Sequence, residues 1–497
     1  MSSLAAFESE PWKNSHEAYS ESFFSLRPAP EYASGEVLMS ALYRHIGFSA
    51  VSERGVPAEG RQFERRITKN GGAAEARSAV SDETWRIVVN RVLESPKLPN
   101  QAAKPFLQLT PVVPDIALYS GSARRAGNSW PAGALIERLV VMGSSSADHA
   151  LIVWQKLFEA LSVDSDDDMW AQWLADEFAK RRISSHRWAF VRLKTGFSSD
   201  LTEISMPAQQ FVRDLWAVLE AKQMMTRAQW VSLLGAVLRI GAVMHVIWLC
   251  DVHDRIWRFL RRALIDGTAR DASVFVQEVF PKQLHYFEYG KAAVPVVRDF
   301  VNRYLTARLG INSLLWHLGD AESLQAPLAV HRLAQKAVNQ RADLQRTGLL
   351  DRFALLQERE ARTLSCKKGI GSNVVEFARH VLGQRQSQTE VLRGYDQAYF
   401  LKKQGIHTSA PWAVSFGPVS IISLVHCCMH RSAGPRSVHR LAQHVGAYGI
   451  HIGMDDLSAG DLGSKLRLLG LVLDSPDAET GMLLTPPFAA VPEGTSA

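Results

Sequence analysis

The densest group of potential metal ligands in this chain is the segment HCCMH at residues 426–430. His426 and His430 are four residues apart, so a helix would place both imidazoles on one face, with Cys427 beside them. Structural zinc sites usually take four ligands, in spaced pairs such as CxxC or HxxxH. Here the two cysteines are consecutive and therefore point in different directions. His426, Cys427 and His430 are candidates for a metal site, but a buried helix with small polarizable side chains is the preferred interpretation.

Two further segments approach an ion or phosphate site without completing its pattern. The acidic run DSDDD at residues 164–168 has Met169 and Ala175 where a calcium-binding EF-hand needs glycine and glutamate. The run is better explained as acidic residues at the start of a helix, because the helix dipole is positive at that end. The segment KKGIGSN at residues 367–373 could offer backbone N–H groups to a phosphate, but it lacks the GK[ST] ending of a Walker A loop. We interpret it as a loop-to-helix junction.

The pair His253–Asp254 allows a comparison with metal-dependent phosphohydrolases, with His245 and Asp266 as additional ligands. The surrounding pattern does not require those roles. The sequence contains no HExxH, GxSxG or CxxC motif, and no GxGxxG at the start of a βα unit. We therefore expect no catalytic residues and no cofactor, although a few scattered acidic residues could still form a nuclease site.

Pairs of basic residues follow apolar helical runs at Arg181–Arg182, Arg261–Arg262 and Lys402–Lys403. Positive charges at the C-terminal end of a helix are stabilised by the helix dipole and need no ligand. Lys402 and Lys403 differ from the other pairs, because aromatic residues are interleaved before them in YDQAYFLKK. Aromatic and basic residues together suit contact with bases and phosphates, so Lys402 and Lys403 are candidate nucleic-acid contacts.

Residues 435–488 show the clearest succession of secondary-structure elements in the chain. Pro435 is placed to start a helix, because the first turn does not need its missing N–H. Apolar residues then recur at helical spacing from Val438 to Val445, and the glycines at positions 446 and 449 end that pattern. A first helix is therefore predicted directly after Pro435.

A second helix and a pair of strands are predicted to follow. Ser458 is a suitable N-cap, and leucines at positions 462, 466 and 469 form one apolar stripe that Gly470 ends. The short apolar runs Leu471–Leu473 and Met482–Leu484 are separated by turn residues, which predicts two strands around a turn.

This order of elements, together with the junction LRLLGLV at residues 466–472, resembles the winged helix-turn-helix superfamily. The resemblance covers about a tenth of the chain and implies a shape that can enter a DNA major groove. It implies that Ser464, Lys465 and Arg467 lie on or near the recognition helix, with their side facing outward. It also places Arg436, His439 and Arg440 on the bracing helix, near the phosphates.

One feature of the predicted turn between the strands favours a different partner. Asp474, Asp477 and Glu479 lie in or next to this turn, and their carboxylates repel phosphate. Winged helices also serve as protein-docking modules. The sequence therefore leaves two interpretations of the C-terminal segment open, contact with DNA and contact with a partner protein.

The composition is that of a globular protein with several domains. The chain has 497 residues, of which 46% are hydrophobic and 21% charged, and a formal net charge of +6. This small positive charge favours an acidic partner only mildly. The four cysteines are too few for a disulfide framework, and the polar start predicts no signal peptide. We expect a cytoplasmic protein.

Residues 230–250 are apolar over a length that could cross a bilayer. Arg239 would then lie near the middle of the membrane, at a cost of roughly 2.5–3.5 kcal/mol on insertion scales, and His245 would add to that cost. We therefore predict a buried central helix in which Arg239 is paired with a carboxylate, and no contact with a membrane.

The fold is predicted to be mainly α, with a multi-helical body, either a bundle or an irregular α-solenoid, and a C-terminal winged-helix-like module. No fixed repeat is present. Composition and helical patterning divide the chain into an N-terminal helical and irregular region (1–132), an all-α domain (133–365), a connector (366–431) and the C-terminal module with its tail (432–497).

The sequence favours a non-catalytic DNA-binding accessory subunit of a bacterial DNA-transacting assembly, such as one in anti-phage defence or DNA modification. Its expected partners are DNA and other protein subunits. Two alternatives remain: a helical scaffold that uses its C-terminal module to dock a protein, and a metal-dependent hydrolase or nuclease.

Overall fold

The computed structural model describes residues 3–26, 35–49, 51–53, 55–70, 78–93, 109–121, 132–194, 196, 199–319, 324–383, 397–405, 407, 409–432, 434–474 and 482–488. Within these residues the protein is mainly α-helical and multi-helical, as the sequence predicts. The strands are few and short.

The helices of the first half of the chain are α1 (Ser3–Ser9), α2 (Glu17–Ser20), α3 (Gly35–Gly47), α4 (Val56–Asn70), α5 (Asp82–Ile87), α6 (Ala132–Gly143), α7 (Ala147–Leu161), α8 (Met169–Lys180), α9 (Pro207–Glu220) and α10 (Arg227–Asp266). A π-helix spans Val88–Leu93, and short 3₁₀ helices span Pro114–Leu118, Ser199–Glu203 and Lys222–Met224. Helices α1 and α2 lie in the N-terminal region that the sequence divides into helical and irregular parts.

The helices of the second half are α11 (Ala272–Val279), α12 (Val294–Leu318), α13 (Pro327–Asn339), α14 (Arg341–Arg346), α15 (Leu349–Arg359), α16 (Ala361–Leu364), α17 (Ile370–Val381), α18 (Pro418–Met429), α19 (His439–Gly446), α20 (Met454–Ser458) and α21 (Asp461–Leu468). The strands are β1 (Phe287–Glu288), β2 (Leu401–Lys403), β3 (Trp412–Val414), β4 (Arg436–Ser437), β5 (Ile450–His451), β6 (Val472–Asp474) and β7 (Met482–Leu484).

The long helix α10 is the centre of the body and packs against α3, α9, α12, α13 and α18. Thr226 and Gln229 form a capping box at its start, and Gly267 ends it in the left-handed conformation. This helix is long and apolar enough to cross a membrane, but 94% of its most apolar window is buried inside the protein. Arg239 lies within that window and donates from Nη1 to the carbonyl oxygen of Ala398 at 2.7 Å. A helix that is apolar on all sides and covered by neighbours is typical of a protein core.

One hydrophobic core runs through most of the described chain, from Phe7 in α1 to Leu484 in β7. It includes Leu441 of α19 and Leu466 of α21, so the C-terminal module shares its apolar interior with the body. A second, smaller cluster around Trp85 joins the N-terminal helices to α8. All four segments predicted from the sequence contribute to the larger core.

The described residues of the C-terminal module form α19, α20 and α21 with a three-stranded antiparallel sheet in the order β4-β7-β6. The parallel pairing of β5 with β1 joins this module to the body. Two details differ from the sequence prediction. A strand at Arg436–Ser437 follows Pro435, and Ser458 ends α20. The N-cap of α21 is Gly460, where an added Cβ would lie only 2.7 Å from the Cα of Asp456, so the close approach of the two helices favours glycine.

Candidate functional site

Helix α9 has one polar stripe on an otherwise buried surface. Phe211, Leu215 and Val218 face the core, while Gln209, Arg213, Trp216 and Glu220 are partly or fully exposed. The spacing of these four residues, by four, three and four positions, places them along one side of the helix. At 1.5 Å per residue, the stripe from Gln209 to Trp216 is about 10 Å long.

A cavity of about 650 Å³ lies over the Trp216 end of this stripe. His149 of α7 lines one side, and Arg440, Gln443 and His444 of α19 line the other. The end of α18 and the two residues after it complete the lining with Cys427, Cys428, His430 and Arg431. The predicted bracing helix and the HCCMH segment therefore meet in one place.

A second cavity of about 440 Å³ lies over the Gln209 end of the stripe. It is lined by Lys282, His285 and His451, among others. Both cavities are lined by Gln210 and Arg213, so they adjoin along α9. We call the combined depression the α9 groove. Its base is the exposed stripe of α9, and α7, α19 and the segment 282–285 form its sides.

The lining of the α9 groove is strongly cationic. Arg213, Lys282, Arg431 and Arg440 carry permanent positive charges, and Asp214 is the one carboxylate among the lining residues of the two cavities. Arg213 donates to the side-chain oxygen of Gln210 at 2.7 Å, and Arg440 donates to the carbonyl of Cys428 at 2.9 Å. Across the described ranges neither arginine pairs with a carboxylate, and neither does Lys282.

Glu220 neutralises part of the charge at one end of the groove. Its two oxygens accept from His430 at 2.6 Å and from Arg431 at 2.8 Å, and the indole N–H of Trp216 also donates to it at 2.6 Å. Burial raises the pKa of Glu220, but these three hydrogen bonds outweigh burial and hold the pKa below its ordinary value. The carboxylate therefore stays ionised and orients the ring of Trp216.

Asp214 is buried beneath the groove and is fully used by its neighbours. It accepts from Gln210 at 2.6 Å and from the hydroxyl of Tyr448 at 2.8 Å, and His444 Nε2 lies 3.1 Å from it. Burial, and then the charge of Asp214, raise the pKa of the Tyr448 hydroxyl well above its usual value. His444 Nδ1 lies 3.3 Å from Gln210. With both ring nitrogens occupied, His444 has no free nitrogen for general-base catalysis.

The candidate metal ligands each have another partner. His426 Nε2 lies 3.0 Å from the carbonyl of Ala217, and the thiol of Cys427 donates to the carbonyl of Asp214 at 3.6 Å. Burial raises the pKa of Cys427 well above its usual value and that of Cys428 to about 12, so neither is a thiolate at neutral pH. Throughout the described ranges, no three histidine, cysteine or acidic side chains are grouped to hold a metal ion.

Lys465 does not face outward, contrary to the sequence prediction. Only 18% of its side chain is exposed. Its ammonium group donates to the Ser415 hydroxyl at 2.8 Å and to the Phe416 carbonyl at 3.1 Å, just before α18. The cause is tertiary: α21 packs with this side against the segment that leads into α18. A lysine held in this way is not available to reach into a DNA major groove.

The other predicted contacts of the module lie in three places. Arg440 lines the α9 groove, while Arg436 and His439 are exposed just before and at the start of α19. Ser464 is exposed on α21. Arg467 is exposed and donates to the carbonyl of Ser458 at 2.9 Å and to the sulfur of Met482 at 3.1 Å.

The lysine pair of strand β2 lies on the Lys465 side of the module. Lys402 is exposed and Lys403 is half-buried. Lys465 and Asp461 form an ion pair within α21. The positive charge of Lys402 lowers the pKa of both residues, which places Lys402 beside this ion pair. These lysines therefore do not line the α9 groove.

His253 and Asp254 are also used internally. His253 Nδ1 lies 2.6 Å from the carbonyl of Leu249 and Nε2 lies 2.9 Å from the hydroxyl of Tyr19. Burial lowers the pKa of His253 to about 3. Asp254 forms ion pairs with Arg258 at 2.9 Å and with Arg303 at 3.4 Å. Both residues therefore have internal partners, which explains their presence by the packing of the helices and not by a metal site.

Sequence reasoning missed Arg213, Trp216, Lys282 and Arg431. The polar stripe of α9 can be read from the sequence, because a polar or amphipathic residue recurs every three or four positions. Lys282 gives no such signal, because it lies far from the other groove residues in the chain and only the fold brings it there.

A comparison of the chain with models of known protein families finds no matching family, and a comparison with curated proteins finds no significant match. The winged-helix resemblance of the C-terminal segment therefore stays a prediction from its own residues.

Proposed function

We propose that this protein is a non-catalytic DNA-binding subunit and that it holds the DNA backbone in the α9 groove. The observation that carries the proposal is the meeting of Arg213, Lys282 and Arg440, from three separate segments, in one depression. None of these cations pairs with a carboxylate in the described part of the chain. Unpaired guanidinium and ammonium groups on one concave surface are suited to phosphate, which arginine can bind through two parallel hydrogen bonds.

The proposed contact differs from the one that the winged-helix resemblance implies. The element order of the C-terminal module, with the sheet order β4-β7-β6, supports the winged-helix proposal for its shape. The partners of Lys465 argue against the use of α21 as a recognition helix. In the proposal, α19 contributes Arg440 to the phosphate contact, and Arg436 and His439 extend it at the rim.

The test is a titration of labelled DNA at several salt concentrations. The logarithm of the association constant should fall linearly with the logarithm of the salt concentration. The slope should be about −0.9 for each neutralised phosphate of a duplex, or about −0.7 for each phosphate of a single strand. The variants Lys282→Glu and Arg440→Glu should each weaken binding and make the slope shallower. Lys282 is the cleaner position, because it is exposed and the described residues give its side chain no hydrogen bond to lose.

The matched control is the single variant Lys367→Glu, which reverses one exposed charge before α17, outside the groove. It should bind DNA nearly as well as the unchanged protein. Equal loss in the control and in the groove variants would mean that net charge, and not the groove, determines binding. Absence of binding at low salt would overturn the proposal.

A second candidate function is protein docking by the C-terminal module, and two exposed leucines favour it. Leu468 at the end of α21 is 86% exposed and Leu473 on the edge strand β6 is 52% exposed. An exposed leucine at a helix end beside an exposed leucine on an edge strand of the described sheet suits a surface that a partner covers. Leu468→Glu/Leu473→Glu should abolish capture of such a partner without changing DNA affinity.

A further inference from the structure

We infer that the α9 groove takes an unpaired DNA strand and not a duplex. This inference rests on the proposed function and adds the kind of DNA that the groove binds. It depends on three features: the concave shape of the site, the tryptophan in its lining, and the internal hydrogen bonds that hold Lys465 of α21.

The shape of the groove suits a single backbone. Its charged residues line two adjoining cavities that α7 and α19 border, and Arg213 is exposed where the two cavities meet. A duplex presents its phosphates on a broad, stiff convex surface, whereas a flexible single strand can follow the concave stripe of α9 between α7 and α19.

Trp216 supplies the contact that distinguishes unpaired from paired bases. Trp216 is half-buried and lines the larger cavity, and the hydrogen bond to Glu220 fixes the orientation of its ring. Lys156 Nζ lies 5.5 Å from the centre of this ring. A tryptophan beside cations is the combination that single-strand binding sites use, because every unpaired base has a face that can stack. In a duplex those faces are covered by neighbouring bases.

Helix α7 adds an apolar position on the same side. His149, Ile152 and Lys156 follow at spacings of three and four, so they share one face of the helix. His149 lines the cavity and lies 6.5 Å from the Trp216 ring, measured between ring centres. Ile152 is 50% exposed. An exposed isoleucine between two basic side chains can cover a base while its neighbours contact phosphates.

The internal bonds of Lys465 argue independently against duplex reading. A helix that reads a major groove must present its polar side chains to base edges. In α21 the ammonium of Lys465 is held by Asp461, Ser415 and Phe416, and that side of the helix faces the body. The exposed end of the helix carries Leu468, which suits a protein contact better than a base edge.

The experiment measures the anisotropy of a labelled oligothymidylate and of a labelled duplex of equal length, with the full-length protein at one salt concentration. The single strand should bind at least about tenfold more tightly. Trp216→Leu should reduce single-strand affinity roughly 5- to 150-fold, the range that corresponds to loss of one stacked base. It should leave the salt slope unchanged, because no cation is removed. Trp216→Phe should restore much of the affinity.

Trp170→Leu is the matched control. Trp170 is 38% exposed and stacks on Trp173 in α8, outside the groove, so its replacement should not change DNA affinity. Duplex binding as tight as single-strand binding, or an unchanged single-strand affinity in Trp216→Leu, would overturn the inference. In that case weaker binding by Lys282→Glu and Arg440→Glu would still support the proposed function. Failure of the unchanged protein to bind either DNA would overturn both.

Discussion

The Nζ atom of Lys465 lies 2.6 Å from Oδ2 of Asp461, one helical turn earlier in α21. Asp461 also accepts from the hydroxyl of Tyr289 at 2.9 Å. Burial raises the pKa of Asp461, but the hydrogen bonds from Lys465 and Tyr289 outweigh it and lower the pKa. Burial lowers the pKa of Lys465, against the opposing effect of Asp461. The pair therefore joins α21 to the segments around Tyr289 and Ser415.

Replacing Lys465 with glutamine should lower the free energy of unfolding by about 1–3 kcal/mol, because Ser415, Phe416 and Asp461 lose a charged donor in a half-buried place. DNA affinity should not change. Urea titration and DNA titration of the same protein measure both quantities. Ser464→Ala, at an exposed neighbouring position, should leave both unchanged. A Lys465→Gln variant of full stability that no longer binds DNA would restore the recognition-helix interpretation.

Tyr448→Phe should destabilise the protein by about 1–3 kcal/mol, because it removes a donor from the buried carboxylate of Asp214 and leaves that group less well satisfied. The structure offers a matched control in Tyr286, whose buried hydroxyl has no partner within the described residues. Tyr286→Phe should be neutral or slightly stabilising. Urea unfolding of both variants compares the two sites. Equal losses of stability in the two variants would mean that the hydrogen bond from the Tyr448 hydroxyl to Asp214 does not stabilise the folded protein.

Gly449→Ala should be destabilising by about 1–3 kcal/mol. Gly449 has a φ of 86°, a conformation that costs an alanine roughly 1–2 kcal/mol, and an added Cβ would overlap the ring of Tyr286. Its carbonyl accepts from Tyr286 and Phe287, so the change strains the junction between module and body. Gly446→Ala is the control, because nothing lies near an added Cβ at that helical position. Amide hydrogen exchange of residues 434–474 should be faster in Gly449→Ala than in the unchanged protein. Faster exchange in Gly446→Ala but not in Gly449→Ala would contradict this prediction.

The stability of the protein should fall in mild acid because of His245. Burial lowers the pKa of His245 from 6.5 to about 3, and neither ring nitrogen has a hydrogen-bond partner within the described residues. Between these pH values the unfolded chain binds a proton that the folded protein does not bind. The free energy of unfolding therefore decreases as pH falls below about 6.5, by about 1.4 kcal/mol per pH unit from this residue.

His245→Leu should remove this contribution. Its free energy of unfolding, compared with that of the unchanged protein, should improve steadily from pH 6.5 towards pH 4 and show no pH-dependent difference above pH 7.5. Urea titrations across this range measure the difference. Two stability curves that stay parallel from pH 8 to pH 4 would show that His245 is not buried as a neutral imidazole.

Much of the fold could be predicted from local sequence. The apolar run at residues 230–250, with Arg239 and His245 inside it, indicated a buried central helix, and the short runs at positions 471–473 and 482–484 indicated strands close to those found. These features depend on neighbouring residues, which is why the sequence alone reveals them. The start of α21 was misplaced, because Ser458 and Gly460 are both suitable at the junction and packing selects between them.

The candidate site was predicted only in part. Arg440, His430 and Cys427 were already of interest, but as members of two separate hypotheses, and the structure places them around one cavity. Arg213 and Lys282 reach that groove from segments that are distant in sequence.

The sequence by itself determined the helical class, the position of the central helix and the basic character of several segments, because periodicity and charge are properties of neighbouring residues. Only the tertiary structure decided which charges are used internally and which remain available. Lys465 and Arg440 look equally accessible in the sequence. Packing of α21 buries the first against Ser415, while packing of α19 beside α9 leaves the second lining an open groove.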